Sequence, residues 1–126
     1  MELADKRCLA CHAGMPVLSR SEAALLLDRL NDWTIENGKY LSRSFSFKNF
    51  AQALELANRI GALAEKEGHH PDLLVRWGML KVTLWTHAVN DLTESDFILA
   101  AKIDRLTQGL AKKLPAGKKG KNEDQE

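Results

Sequence analysis

The chain has 126 residues, of which 44% are hydrophobic and 28% charged, and a formal net charge of +1. That length fits one domain with its own hydrophobic core, and the near-zero charge argues against general affinity for nucleic acid or anionic membrane. No apolar run approaches the roughly 20 residues that cross a bilayer, and the first residues lack the apolar core of a signal peptide. We therefore expect a cytoplasmic protein whose two cysteines are thiols.

Residues 1–18 show little periodicity and are predicted to form a flexible arm that carries both cysteines. The pattern Cys8-x-x-Cys11-His12 matches the local signature of c-type haem attachment, but such attachment normally follows export, and no export signal is visible. The same two thiols can supply half of a zinc site. A free, reducible cysteine pair is the interpretation we favour, because nothing in the sequence places it near other ligands.

A helix and a hairpin are predicted next. The segment 19–30 opens with a Ser-Arg-Ser-Glu capping box and repeats apolar residues on one helical face. The segment 33–47 is predicted to be a hairpin around Asn37-Gly38, because the central residues of a type I′ turn both need positive φ. Past that turn, apolar and polar residues alternate with period two, which is typical of a strand with one buried face.

The clearest helix runs from Asn49 to Glu67, where apolar residues recur at helical spacing. Asn49 can cap its start, and Gly68 supplies a left-handed stop. Glu65 falls in the last turn, where the negative end of the helix dipole disfavours a carboxylate. An exposed polar position is therefore the plainer interpretation of Glu65.

Two strands are predicted over 73–77 and 79–87, separated by Gly78. Alternation in the second strand places His87 at its end, on the less apolar face. Such a position suits a site residue, because the backbone is held while the side chain can still meet solvent.

Thr93 is predicted to cap the last helix, with Asp96 at its third position, where the dipole favours negative charge. The Lys/Gly-rich and then acidic tail, residues 114–126, is predicted to be disordered. The order of elements is helix, two strands, long helix, two strands and helix. This order indicates an α+β fold, with a four-stranded antiparallel sheet and three helices packed on one face.

Three of the four histidines fall in one constellation with two carboxylates. Its members, in chain order, are Glu65, His69, His70, Pro71, Thr86, His87 and Asp96. Imidazole titrates near neutral pH, so several imidazoles facing one pocket can exchange protons with a substrate. They can also bind a metal. Because proline favours extended backbone before it, the side chains of His69 and His70 are predicted to point to opposite sides.

These residues resemble the pterin-4a-carbinolamine dehydratase family. The shared features are Glu-x-x-x-His-His-Pro, a strand, Thr-His, and an Asp nine residues after that His. The resemblance spans roughly residues 30–106 and includes Trp33 and the Phe-x-Phe-Lys-Asn-Phe segment at 45–50. One departure is Trp77, where many members have tyrosine. We assign the family domain to residues 19–113, and the resemblance says nothing about the cysteine arm.

The resemblance implies the same α+β fold, a homodimer or homotetramer, and a pterin substrate. The implied reaction removes water from 4a-hydroxytetrahydrobiopterin to give quinonoid dihydropterin, with no metal and no cofactor, and recycles the cofactor of aromatic amino acid hydroxylases. It implies that His69, His70 and His87 are the catalytic histidines of the site. Among them, we expect His69 and His87 to exchange protons with the substrate and His70 to bind or orient the pterin. Supporting roles, in orienting histidines or lining the pocket, fall to Glu65, Asp96, Trp33 and Pro71.

Plainer interpretations and two other functions stay open. Asp96 can serve only to start its helix, and the tryptophans can serve only sheet packing. One alternative function is a non-catalytic binding protein or transcriptional co-regulator, since animal members of the family bind a homeodomain transcription factor. No DNA-reading motif is visible, so we expect no direct nucleic-acid contact. The other alternative is a metal-binding protein that uses Cys8, Cys11 and the histidines.

Overall fold

The protein is described by a computed structural model that covers residues 2–8 and 12–111, with side chains up to residue 108. After a short 3-10 helix (Leu3–Asp5), its elements are α1 (Arg20–Leu27), β1 (Thr34–Glu36), β2 (Tyr40–Ser46), α2 (Phe50–Glu67), β3 (Asp72–Arg76), β4 (Met79–Leu84) and α3 (Glu94–Ala111). The predicted disordered tail, residues 114–126, lies outside the described residues. No helix in the described part is long and apolar enough to cross a membrane.

The four strands form one antiparallel sheet in the order β1-β2-β4-β3. Its core face pairs Leu41 with Leu84 and Phe45 with Leu80, and all four side chains are buried. α2 packs over β3 and β4 and also contacts α3. The predicted α+β fold, with a four-stranded antiparallel sheet and three helices, is confirmed.

Local signals predicted the turns and helix ends well. Asn37 and Gly38 have φ angles of 53° and 72°, as the type I′ turn requires. α2 begins after Asn49, whose side chain accepts a backbone hydrogen bond, and ends at Gly68 with φ 68°. The helix predicted to run to Leu30 instead ends at Leu27, because its last N–H groups bond three residues back rather than four.

β4 ends at Leu84, so the prediction of a strand reaching His87 is wrong. The pairing with β2 stops at Leu84, opposite Leu41 near the start of β2. Beyond Leu84, the backbone N–H of Thr86 donates to the Asp91 carbonyl over 2.9 Å, in an isolated bridge within the same chain segment. His87 therefore lies in a turn just after the sheet.

Part of the predicted flexible arm is in contact with the domain. Residues 2–8 lie along α3, and Leu3 is buried in the core. Cys11 of the predicted Cys-x-x-Cys-His pattern lies outside the described residues. The division into arm, domain and tail stays a prediction.

The second half of α3 carries a buried carboxylate, Asp104. It accepts hydrogen bonds from Trp33 Nε1 (2.7 Å), Arg43 Nη1 (2.7 Å) and the backbone N–H of Asn31 (3.0 Å). Burial raises the pKa of the Asp104 carboxyl, and these donors oppose the rise. Trp33 is thus a core residue whose indole N–H ties the chain before β1 to α3.

Trp33→Phe should lower the free energy of unfolding by about 1.5–3 kcal/mol, because phenylalanine cannot donate a hydrogen bond to the buried carboxylate of Asp104. Urea denaturation followed by circular dichroism measures the change. Trp77→Phe is the matched control, since Trp77 is 66% exposed and its loss should cost under about 0.5 kcal/mol. Equal losses in the two variants would contradict this role of Trp33.

Candidate active site

A buried carboxylate, Asp96, lies at the centre of the histidine region. α3 begins at Glu94, which places Asp96 at the third helical position, as predicted. Its oxygens accept hydrogen bonds from His69 Nε2 (2.6 Å), Thr86 Oγ1 (2.9 Å) and the Thr93 backbone N–H (2.9 Å). These donors offset the cost of removing the carboxylate from water.

The directions of these hydrogen bonds follow from what each group can donate. A carboxylate only accepts, so His69 must carry a hydrogen on Nε2. Thr86 gives its single hydroxyl hydrogen to Asp96 and therefore accepts one from Thr93 Oγ1, 2.8 Å away. Asp96 thus sets both the tautomer and the orientation of the His69 ring.

The end of α2 turns His69 inward and His70 outward. Gly68, in the left-handed region, and then His69 both donate backbone hydrogen bonds to the Ala64 carbonyl, at 2.8 and 3.2 Å. The two neighbouring imidazoles consequently differ: His69 is 2% exposed, whereas His70 is exposed and precedes the half-buried Pro71. The sequence predicted this divergence from the proline.

His70 pairs with Glu65 at the surface. The His70 Nε2 and a Glu65 carboxylate oxygen are 2.6 Å apart, and both side chains are mostly exposed. An exposed pair of this kind adds little stability. The pair orients the His70 ring. Glu65 is therefore exposed, as expected, and it also binds a histidine.

His87 lies in the turn after β4, with its side chain exposed. Its ring contacts Trp85 at a centroid distance of 4.3 Å, and Trp85 contacts Tyr40 at 5.0 Å, both edge-to-face. Sheet packing was the plainer interpretation of Trp85, and its spacing of two from His87 also indicated that the two side chains share a side. Asn90 donates to the His87 carbonyl over 3.2 Å and closes the turn.

The structure joins three residues of the constellation in one hydrogen-bonded network, His69, Thr86 and Asp96, and pairs Glu65 with His70 separately at the surface. His69 and Asp96 touch, and His87 directly follows Thr86, which touches Asp96. Trp33 is not part of this network, because its partner Asp104 lies about 12 Å further along α3. The sequence analysis missed one contributor to this network, the Thr93 hydroxyl, because Thr93 was expected only to cap a helix.

Cys8 lies close to this region but is a poor candidate ligand. Burial, with a smaller contribution from the Glu67 carboxylate, raises the pKa of the Cys8 thiol to about 12. A thiol binds metal as thiolate, so this environment disfavours it. Within residues 2–8 and 12–111, no group of three or more His, Cys, Asp or Glu side chains is arranged to hold a metal ion.

Comparison with known proteins adds a family match. Residues 16–106 match the family model described as Pterin 4 alpha carbinolamine dehydratase. A proposed pterin-4-alpha-carbinolamine dehydratase of Alkaliphilus metalliredigens is 50% identical over 104 residues, covering 82% of this chain and 94% of the relative. Another from Rubrobacter xylanophilus is 47% identical over 105 residues, covering 83% and 98%.

Solved structures agree on the fold. A protein of Brucella melitensis, described as a transcriptional coactivator/pterin dehydratase, superposes with a TM-score of 0.68 at 34% identity, over 72% of this chain and 98% of its own. A pterin dehydratase-like protein described as a RuBisCO assembly factor gives a TM-score of 0.51 at 24% identity, over 60% and 89%, and is similar in fold alone.

Proposed function

The chain belongs to the pterin-4-alpha-carbinolamine dehydratase family, and we propose that it is an enzyme that removes water from 4a-hydroxytetrahydrobiopterin to give quinonoid dihydropterin. The observation that carries the proposal is the buried Asp96–His69 pair, with the exposed imidazoles of His70 and His87 on flanking segments. The cytoplasmic location, the homo-oligomer and the link to an aromatic amino acid hydroxylase stay predictions.

The proposed reaction needs one proton donor and one proton acceptor, and an imidazole side chain can serve as either. The bond between C4a and the hydroxyl oxygen breaks, and the oxygen leaves as water after taking a proton from an imidazolium. A neutral imidazole takes the proton from N5, and the N5–H electron pair becomes the new N5–C4a double bond. Side chains that titrate near neutral pH perform both transfers efficiently, and the protons balance over the cycle.

We assign the proton transfers to His69 and His87. The Asp96 carboxylate beside His69 orients its ring and would stabilise the imidazolium, as in other His–Asp pairs. His87 is exposed and can recover its protonation state from water between turnovers.

The remaining residues are assigned supporting roles. His70, oriented by Glu65, would bind or orient the pterin ring. Pro71 favours extended backbone at His70 and so separates the two neighbouring imidazoles. Trp33 is assigned to the core rather than the pocket edge, because its indole is bound to Asp104.

A second candidate function is binding or co-regulation without catalysis. The observation that favours it is the description of the Brucella melitensis neighbour, which names a coactivator role beside the dehydratase. A measurement of turnover distinguishes the two functions, because a binding protein needs no proton transfer.

The deciding experiment follows dehydration of enzymatically generated 4a-hydroxytetrahydrobiopterin. We expect the protein, purified in chelator, to form quinonoid dihydropterin much faster than the spontaneous reaction, as read from ultraviolet absorbance. A folded protein that binds pterin without accelerating the reaction would contradict the enzyme and favour the binding protein.

A further inference from the structure

Glu67, the last residue of α2, is a buried carboxylate that the proposed mechanism does not use. Its side chain is 3% exposed and lies at the negative end of the helix dipole, which is an unfavourable place for negative charge. It is compensated by the Cys8 backbone N–H at 3.1 Å, Lys102 Nζ at 3.6 Å and Arg7 Nε at 3.7 Å. Burial alone would raise the pKa of Glu67, but these donors outweigh it and hold that pKa below its usual value.

The segment 2–8, which precedes the family match, runs beside α3 and is held there at several points. Near the middle of the helix, Lys102 donates to the Ala4 carbonyl over 2.9 Å, and Arg105 donates to Asp5 over 2.9 Å. At the start of the helix, the ion pair of Lys6 with Glu94 measures 2.7 Å, and Cys8 Sγ lies 3.6 Å from the Ser95 carbonyl oxygen. The segment then reaches Glu67 and so connects α3 to the end of α2.

The two connected points are next to the central pair of the candidate site. Glu67 is two residues before His69, and Ser95 is immediately before Asp96. His69 and Asp96 come from different elements, and their hydrogen bond of 2.6 Å needs those elements held to within about 0.5 Å. The bond therefore depends on whatever holds the end of α2 against the start of α3.

We propose that Glu67 is a positioning residue, which acts with residues 6–8 to hold the end of α2 against the start of α3, so that His69 stays bound to Asp96. The effect on turnover rests on the proposed function. The effect on the His69–Asp96 hydrogen bond rests on the fold alone, so the two can be measured separately.

Glu67→Gln is the variant that tests this role. Glutamine keeps the size and an acceptor oxygen for the Cys8 N–H, but it removes the charge that attracts Lys102 and Arg7. Glu55→Gln is the matched control, since Glu55 lies on the same helix in an exposed ion pair with Arg59 at 3.1 Å. The first readout is the His69 Nε2–H proton in the NMR spectrum, assigned by its loss in His69→Gln, and the second is kcat against KM.

In Glu67→Gln we expect the His69 Nε2–H signal to move and its exchange with water to speed up about tenfold. We expect kcat to fall by about 10- to 100-fold, with KM changed less than about threefold, because a small misplacement of a reacting group slows chemistry more than binding. Glu55→Gln should leave both readouts as in the unmodified protein.

A folded Glu67→Gln protein with an unchanged His69 signal and unchanged kcat would overturn the proposal. If the unmodified protein shows no dehydration, the proposed function fails, and proton exchange alone still decides whether Glu67 positions the pair. If Glu67→Gln does not fold, Lys6→Ala replaces it as the test variant. Lys6 and Glu94 form a partly exposed ion pair, so its loss should leave the protein folded. Faster exchange of the His69 proton in Lys6→Ala would support the proposal, and unchanged exchange would overturn it.

Discussion

Asp96→Asn should lower kcat for dehydration by about 10²- to 10⁴-fold while the protein stays folded. Asp96 meets three donors, from His69, Thr86 and Thr93. One carboxylate oxygen accepts from His69 and the other from both Thr86 and Thr93, so the NH₂ group of an asparagine must face either His69 or the two threonine donors. If it faces His69, the ring has to accept at Nε2 and so takes the opposite tautomer, in which Nδ1 carries the hydrogen.

The loss in Asp96→Asn should fall on kcat rather than on KM. In the proposed mechanism the carboxylate would stabilise an imidazolium that forms as the reaction proceeds, so its removal would cost transition-state stabilisation and little ground-state binding. Unfolding measured in urea should show a loss of about 1–3 kcal/mol, from the buried donor left unsatisfied. Asp72→Asn is the matched control, because Asp72 is exposed at the start of β3. A kcat unchanged in Asp96→Asn would show that the tautomer of His69 has no part in the reaction.

His87→Ala should reduce kcat by about 10²- to 10⁴-fold, the range expected when one proton-transferring side chain is removed. Its side chain is exposed in a turn, so the free energy of unfolding should change by less than about 0.5 kcal/mol. The combination of large kinetic loss and small stability loss separates a reacting side chain from a packing one.

The control for His87→Ala is His12→Ala, which removes the one exposed imidazole that lies outside the constellation within the described residues. It should leave kcat as in the unmodified protein. Retained turnover in His87→Ala would move the proton transfer to His70, the other exposed imidazole of the site. Measuring both variants over the same pH range distinguishes a lost proton donor from a general loss of substrate binding.

Features that depend on neighbouring residues were predictable because their physics is local. The type I′ turn at Asn37-Gly38 and the stop at Gly68 depend on which residues tolerate positive φ. The position of Asp96 in the first turn of α3 follows from the spacing of capping residues. The α+β class followed in turn from the order of such elements.

The strand boundary that failed was decided by a distant partner. A strand reaching His87 fits its own alternation, but β4 stops where β2 no longer offers a partner, at Leu84 opposite Leu41. Trp33, which was open between a pocket edge and sheet packing, is a second case in which a distant partner matters. Its aromatic side chain is equally suited to a pocket or a core, and only the buried Asp104 on α3 decides between them.

The sequence by itself determined the order of the elements and the local turns and caps. It also showed the spacing of histidines and carboxylates that is typical of the family. Only the tertiary structure decided that His69 is buried against Asp96, that His70 and His87 are exposed, and that Glu67 accepts a hydrogen bond from the Cys8 backbone N–H. His69 and Asp96 are 27 positions apart, and Cys8 and Glu67 are 59 apart. Hydrogen bonds over such separations form only when whole elements pack, because no local preference of the chain brings their atoms together.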